Sequence, residues 1–209
     1  MNQTEAFFQL LRAPVGERVF NPWTQVDAGT DVHDNAAADR VLRLRAHLNV
    51  SARLLLIGEA PGYQGCHVSG VAFTSERLLL AGSIPRIEVW QRLSTRALPW
   101  SEPSATTVWG TLHELGIAEH TLLWNAFPWH PHQAGALQTN RTPTPAERRA
   151  GVPVLQALLR AQPQARVLAV GKTAAASLQE MGIEALTLRH PSMGGAAQFR
   201  AQLRAAVMG

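Results

Sequence analysis

Four short segments of this sequence carry the side chains that could take part in catalysis or binding. They are residues 58–62 (GEAPG), 125–128 (NAFP), 171–173 (GKT) and 189–192 (RHPS). Each follows a short apolar run of the kind that forms a buried strand in a parallel sheet. The carboxyl ends of parallel strands share one edge, where open α/β sheets bind ligands. We therefore expect the four segments to meet at one crevice.

The first segment, GEAPG, has the composition of a ligand-binding loop. Its glycines let backbone amides approach a ligand closely, and the helix start predicted at Ser75 can receive a phosphate. Many strand-to-helix turns contain glycine, however, and the spacing here does not match a dinucleotide-binding fingerprint. The segment indicates a binding site only when it is taken together with the others.

Two polar side chains stand where predicted strands end. Asn125 could offer a donor and an acceptor to one edge of a nucleic-acid base, although an asparagine in this place also suits a cap or a turn. His190 follows the last strand, where Pro191 and nearby glycines can hold it at the mouth of a crevice. A lone histidine is usually structural, but this position at the ligand edge favours a functional role.

The third segment and a pair of histidines suggest other sites that their spacing does not support. A P-loop would need a glycine at Arg166, so a plain turn is favoured at Gly171, with Lys172 near a backbone phosphate. His130 and His132 have no further ligand at a recognisable metal-binding spacing, and we expect them in a solvated loop. The sequence therefore predicts no metal and no cofactor.

Helical and strand signals alternate along the chain. Predicted helices cover about 4–12, 35–48, 75–80, 104–115, 144–161, 173–181 and 196–207, and predicted strands cover 53–57, 121–124, 166–170 and 185–188. Residues 144–147 (TPAE) form a capping box with proline at the first helical position. Residues 13–30 are expected to be an ordered loop anchored by Phe20 and Trp23. The pattern predicts a single α/β domain over residues 1–209, with a central four-stranded parallel sheet and helices on both faces.

Composition limits the class of protein and its partners. The 209 residues are 46% hydrophobic and 16% charged, as in a globular protein, and no signal peptide or membrane-length apolar run is evident. We therefore expect a cytoplasmic protein. The single cysteine, Cys66, allows no internal disulfide and no cluster held by several thiolates. The net charge is +4, and almost all of the 19 basic residues are arginine. Arginine suits phosphate recognition, although a GC-rich genome would give the same bias.

Taken in order, these segments resemble the motifs of the uracil-DNA glycosylase superfamily, from residue 53 to the end of the chain. GEAPG and residues 70–73 (GVAF) resemble its first motif and its base-stacking phenylalanine. Residues 122–125 (LLWN) resemble the strand that ends in the base-reading asparagine. RHPS resembles the loop that supplies the catalytic histidine and enters the DNA minor groove. The ordered set is more specific than any one motif.

Within that superfamily the chain is most similar to the iron–sulfur branch, which shares GEAPG and a segment like residues 140–145 (NRTPTP). That branch binds its cluster through four cysteines. Here Trp129 and Gly151 stand where two of them would be expected, and Cys66 lies elsewhere. We expect the cluster to be absent, with packing by Trp129 and its neighbours in its place.

Two further departures from the superfamily concern its chemistry. The best-known branch has an aspartate that positions or activates water where this chain has Ala60. Glu59 is adjacent and could replace it, but need not point the same way. That branch also has a tyrosine that excludes the methyl group of thymine, where this chain has Gly62. Selectivity for uracil over thymine is therefore open.

The resemblance implies a monofunctional DNA glycosylase that flips out uracil or a related deaminated base and cleaves its N-glycosidic bond. His190 and Glu59 would be catalytic. The base would be bound by Gly58, Ala60, Phe73 and Asn125. The DNA would be contacted by Lys172, Arg189, Ser192, Met193 and Arg200. Met193 is the candidate wedge into the helix.

The expected partner is single- or double-stranded DNA that contains a damaged base. We expect the protein to act as a monomer and not to associate with a membrane. The main alternative is a protein of the same fold that binds damaged or abasic DNA with little or no excision. Ala60 favours this alternative, and the pairing of Asn125 with His190 opposes it. A nucleotide hydrolase is disfavoured because the sequence has no carboxylate cluster for Mg²⁺.

Overall fold

The computed structural model describes residues 3–89 and 91–208. The helices are α1 (Gln3–Leu11), α2 (Ala36–Leu48), α3 (Cys66–Ser69), α4 (Glu76–Leu80), α5 (Pro103–Glu114), α6 (Pro145–Ala161), α7 (Lys172–Glu180) and α8 (Ala196–Met208), with a 3₁₀ turn at Ala118–His120. The strands are β1 (Val19–Phe20), β2 (Leu54–Gly58), β3 (Thr121–Asn125), β4 (His130–Pro131), β5 (Arg166–Val170) and β6 (Leu186–Leu188).

The central sheet has four parallel strands in the order β3-β2-β5-β6. Its register pairs Leu54 with Thr121 and ends by pairing Gly58 with Asn125. The loops after β2 and β3 therefore leave the sheet side by side at its carboxyl edge. The α/β fold predicted from the sequence is confirmed, with the four strands where the apolar runs indicated.

The strands β2, β3 and β5 place alternate side chains in two separate cores. In β2, Leu55 and Ile57 join the core built with α1, α6 and α7, whereas Leu54 and Leu56 join the core built with α4, α5 and α8. This alternation follows from the two-residue period of a strand. Because both faces are covered by helices, β2 is buried along its whole length and reads as a continuous apolar run.

Local signals placed most helix boundaries within a residue or two. The predicted capping box is present: the Thr144 hydroxyl accepts a hydrogen bond from the Glu147 backbone N–H, and the Glu147 carboxylate accepts one from the Thr144 N–H. Phe20 and Trp23 are buried anchors, as expected. The short helix α3 and the two-residue strands β1 and β4, which pair antiparallel, were not predicted from the sequence.

The prediction that His130 and His132 lie in a solvated loop is wrong. Both are buried, with exposed fractions of 0% and 5%. His130 belongs to β4, and its Nδ1 lies 2.9 Å from Nδ1 of His67, whose Nε2 in turn lies 3.1 Å from the Asp27 carboxylate. The hydrogen bond from His67 holds the pKa of Asp27 well below its usual range. A buried polar network therefore ties the 13–30 segment to the strand β4.

Across residues 3–89 and 91–208, no helix is long and apolar enough to cross a membrane.

Candidate active site

Gly58 brings Phe73 and Asn125 together at the carboxyl end of β2. A Cβ added at Gly58 would lie 2.5 Å from Cζ of Phe73 and 2.7 Å from Oδ1 of Asn125, closer than Cβ atoms come to other atoms. Only glycine lets the ring and the amide converge in this way. Phe73 has a φ of 49°, a left-handed conformation that costs a residue with a side chain of order 1–3 kcal/mol. Three of the predicted base-binding residues thus lie in contact.

Backbone hydrogen bonds extend the pairing of β2 and β3 into their loops. The N–H of Ala126 donates to the carbonyl of Gly58 over 2.8 Å, and the N–H of Phe127 donates to the carbonyl of Glu59 over 3.0 Å. The GEAPG loop is therefore held against the NAFP loop beyond the ends of the strands. These hydrogen bonds fix the position of the backbone at Glu59 and Ala60, both of which are half-buried.

His190 enters the same region from the end of β6. Its Nδ1 accepts a hydrogen bond from the backbone N–H of Ser192 over 3.1 Å and lies 2.7 Å from the Ser192 hydroxyl oxygen. Since a backbone N–H can only donate, Nδ1 carries no proton, and the neutral ring has its proton on Nε2. Burial lowers the pKa of His190, an effect that Glu59 opposes and Arg189 reinforces. The ring centroid is 6.1 Å from that of Phe73.

A small cavity of about 50 Å³ lies where these loops meet. It is lined by residues 59–62 together with Cys66, Phe73, Glu102, Asn125 and His190. Residues 59–62, Glu102 and His190 also line a groove of about 1020 Å³, so the cavity opens from the floor of that groove. The groove is walled on its other sides by residues 103–104, 140–142 and 191–194, with Thr107, Gln64 and Ala196.

The predicted DNA contacts fall into two groups. Ser192 and Met193 line the groove, and Met193 is 91% exposed with a φ of 52°. Arg189 is exposed, but its guanidinium donates to the carbonyls of His190 and Met193 over 3.2 and 3.3 Å, which braces the loop. Lys172 and Arg200 are exposed and are not among the residues that line this groove. Lys172 does follow Gly171, where an added Cβ would lie 3.4 Å from Cβ of His190.

The far wall of the groove is held by an ion pair that the sequence did not reveal. The Asn140 side-chain oxygen accepts a hydrogen bond from the N–H of Tyr63 over 3.0 Å. Arg141 makes two hydrogen bonds to the Glu147 carboxylate, of 2.7 and 2.6 Å, and further bonds to the carbonyls of Arg18 and His132. The hydrogen bonds from Arg141 lower the pKa of Glu147 from 4.5 to about 2. Arg141 is therefore a structural clamp.

The residues at the expected cluster positions do not fit an iron–sulfur cluster. The indole N–H of Trp129 donates to the carbonyl of Leu11 over 3.0 Å, and its ring packs edge-on against Phe127. A Cβ at Gly151 would lie 2.8 Å from Cδ of Pro128, so no cysteine side chain has room there. In the described part of the chain, no three His, Cys, Asp or Glu side chains are grouped to hold a metal ion. Packing by Trp129 fills this region.

The parallel sheet thus places an asparagine, a histidine and a phenylalanine around one cavity at its carboxyl edge. A profile of the Uracil DNA glycosylase superfamily matches residues 46–207, and the chain belongs to that superfamily. The fold is similar to the crystal structure of wild-type SMUG2 from Pedobacter heparinus. The TM-score is 0.66 with 17% identity, over 100% of this chain and 97% of that chain. No curated protein matches this sequence significantly.

Two lining residues were not found from the sequence. Cys66 and Glu102 both face the cavity, and neither belongs to the four segments that carried the prediction. Glu102 directly precedes Pro103 at the start of α5 and lies outside every helix and strand predicted from the sequence. Its sequence context therefore gave no sign of a place in the site.

Proposed function

We propose that this protein is a monofunctional DNA glycosylase that excises uracil or a related deaminated base. The observation that carries the proposal is the convergence of Phe73, Asn125 and His190 on one small cavity at the floor of a groove. Membership of the superfamily supports the class of reaction. The groove would hold the DNA strand, and the cavity would receive the flipped base.

Binding of the flipped base would use the residues around Gly58. Leaving the stack costs roughly a few kcal/mol, less at mismatched or single-stranded sites. Phe73 would stack on the ring and return part of this free energy. The Asn125 amide would read the polar edge of the base with one donor and one acceptor. Because Gly58 has no side chain, the Phe73 ring and the Asn125 amide would both reach the same base.

Catalysis would come from groups that stabilise the charges that develop as the N-glycosidic bond breaks. When the bond from C1′ to the base nitrogen breaks, its electron pair leaves with the base and the sugar becomes cationic. The Nε2 proton of neutral His190 would stabilise the base anion, helped by backbone amides of the GEAPG loop. Preorganised donors of this kind are commonly the largest catalytic contribution. Water would then add its oxygen to C1′, and its proton would neutralise the base.

Glu59 would act on the sugar side of this reaction. It lines both the cavity and the groove, and its charge acts on His190. The carboxylate would position the water or stabilise the sugar cation. Ala60 cannot do so, and lies next to it.

Contacts with the rest of the DNA would come from the 189–194 loop. Met193 is an exposed apolar side chain at the rim of the groove, suited to fill the space left by the flipped base. Ser192, Lys172 and Arg200 would contact phosphates. Arg189 would hold Met193 in place through the two carbonyls that it binds, and could reach a phosphate as well.

The second candidate function is binding of damaged or abasic DNA without efficient excision. Ala60 in place of a water-activating carboxylate favours it. A single-turnover assay on a panel of single- and double-stranded lesions separates the two. Release of uracil or a deaminated base supports the glycosylase. Inactivity on every lesion, with retained selectivity for abasic or mismatched DNA, would assign the binding function instead.

A further inference from the structure

The carboxyl group of Glu102 lies in the wall of the base cavity and has no part in the mechanism above. Glu102 is the N-cap residue of α5, yet its side chain makes no capping hydrogen bond. Here the side chain turns instead toward the cavity and the groove, both of which it lines.

Two neighbours fix the position of this carboxyl group. The Ser104 hydroxyl donates to Oε1 of Glu102 over 2.6 Å. Oε2 lies against Gly65, where an added Cβ would overlap it and would come within 2.9 Å of Cδ. The carboxyl of Glu102 thus fills the space that a side chain at position 65 would otherwise occupy. A wall of the cavity is built by a residue from a distant part of the chain.

Burial affects both ionisable side chains on this side of the cavity. It raises the pKa of Glu102, and the hydrogen bond from Ser104 opposes the rise. Cys66 lines the same cavity, and burial raises the pKa of its thiol, with the charge of Glu102 adding to the effect. Both groups therefore favour their neutral forms more than they would in water.

We propose that Glu102 determines base specificity by occupying the space beside the C5 edge of a pyrimidine. The inference rests on the proposed function. Asn125 takes the polar edge of the ring, and His190 takes the oxygen on which charge develops. Of the lining residues without a role so far, Gly62 has no side chain and Pro61 and Cys66 are buried, so we place the C5–C6 edge of the ring against the half-buried Glu102. A base with hydrogen at C5, such as uracil, fits against the carboxyl, whereas the methyl group of thymine meets it.

The test measures binding of the base without requiring its removal. Duplexes carry a 2′-fluoroarabino nucleotide of uracil or thymine, which resists cleavage, opposite guanine. The ratio of their Kd values is measured for wild type, E102A, E102Q and the control E114A, which changes an exposed glutamate at the other end of the same helix. One methyl group in a fitted pocket changes selectivity by about 10–200-fold. Wild type and E114A should prefer uracil at least tenfold.

The two variants of Glu102 separate size from charge. E102A opens the wall, so its preference for uracil should fall to within about threefold of unity. E102Q keeps the volume of the side chain, so its preference should stay within about threefold of wild type. A parallel excision assay on uracil in wild type tests the proposed function separately. Selective binding that E102A abolishes would support the role of Glu102 even in a protein that excises nothing.

Three results would overturn the proposal. They are a wild type without preference between the two bases, an E102A variant that keeps the preference, and an E102Q variant that loses as much as E102A. Thermal melting of each variant checks folding. If E102A does not fold, E102D shortens the side chain by one methylene and should lower the preference part of the way. An E102D ratio equal to that of wild type would then contradict a wall set by size.

Discussion

The backbone N–H of Ser192 lies 3.1 Å from Nδ1 of His190 and decides which nitrogen of that ring carries the proton. Because Nδ1 accepts this hydrogen bond, the neutral imidazole presents Nε2–H as its donor. The loop that is proposed to enter DNA therefore also sets the tautomer of the proposed catalytic histidine. Arg189 closes the loop by donating hydrogen bonds to the carbonyls of His190 and Met193. The proposed wedge Met193 and the Nε2–H donor of His190 are thus held by one turn.

The first prediction concerns His190. His190→Ala should lower the single-turnover rate on an accepted lesion by about 10²-fold or more, because one preorganised donor to the base anion is lost. Affinity for DNA should stay nearly unchanged. His33→Ala, which removes a histidine from a partly exposed pair with Asp39, is the matched control. Equal rates for wild type and His190→Ala would rule out this role.

The candidate site residues that were named from the sequence share a simple physical property. Asn125 is the last residue of β3 and His190 lies two residues beyond the end of β6, and the register of a parallel sheet brings such residues to one edge. Gly58 was readable for the same reason. A position at or just beyond the end of a strand was thus enough to predict that a residue lies at this edge of the sheet, without any knowledge of its contacts.

Residues whose positions depend on distant partners could not be predicted in this way. Glu102 lies outside every element predicted from the sequence, and only the folded chain brings it against Gly65 and into the cavity lining. His130 lies among polar and proline residues that read as solvated. It is buried because β4 pairs with Val19–Phe20, more than a hundred residues earlier, and because it contacts His67. Periodicity carries no information about such contacts.

Binding to DNA should weaken steeply with salt. With three or four phosphate contacts, the plot of log affinity against log salt concentration should have a slope of roughly −3 on duplex DNA. Lys172→Ala and Arg200→Ala should each make this slope less negative by about 1. Arg12→Ala, at an exposed position after α1, should leave the slope unchanged. An affinity that does not depend on salt, or no affinity for DNA, would remove nucleic acid as the partner.

The purified protein should contain no stoichiometric metal. Trp129 fills the region of the expected cluster, and a cysteine side chain has no room at Gly151. Iron and zinc analysis of untagged protein should therefore find far less than one equivalent of either. One full equivalent would contradict the packing argument.

Acid should remove the stabilisation that Glu147 provides. Its pKa is lowered from 4.5 to about 2 by Arg141, so the stabilisation is complete above pH 4.5 and is lost as the pH falls toward 2. Glu147→Gln should lower the free energy of unfolding by about 1.5–3 kcal/mol at pH 7, the range for hydrogen bonds to charged groups. The difference from wild type should vanish near pH 2. Denaturant unfolding at several pH values measures it.

Wild type and Glu147→Gln must be compared at the same pH, because buried histidines also make the free energy of unfolding depend on pH. Burial lowers the pKa of His47 and His130 from 6.5 to about 3, so both proteins lose stability as the pH falls from 6.5 to 3. This loss cancels between wild type and Glu147→Gln. Glu114→Gln, at an exposed glutamate, should show no pH-dependent difference from wild type. A Glu147→Gln deficit that is the same at pH 2 and pH 7 would show that the ion pair is not its cause.

The last prediction bears on whether the carboxylate next to Ala60 sustains catalysis. Glu59→Gln keeps the size and hydrogen bonding of the side chain but removes its charge, so excision should slow if Glu59 stabilises the sugar cation or positions water. We expect a loss smaller than that of His190→Ala, because stabilisation of the departing base can sustain much of the rate after one partner is lost. Single-turnover rates of the two variants on the same lesion make the comparison. If Glu59 only braces the loop, Glu59→Gln should be nearly as fast as wild type, and Ala60→Asp should raise the rate by supplying the missing carboxylate.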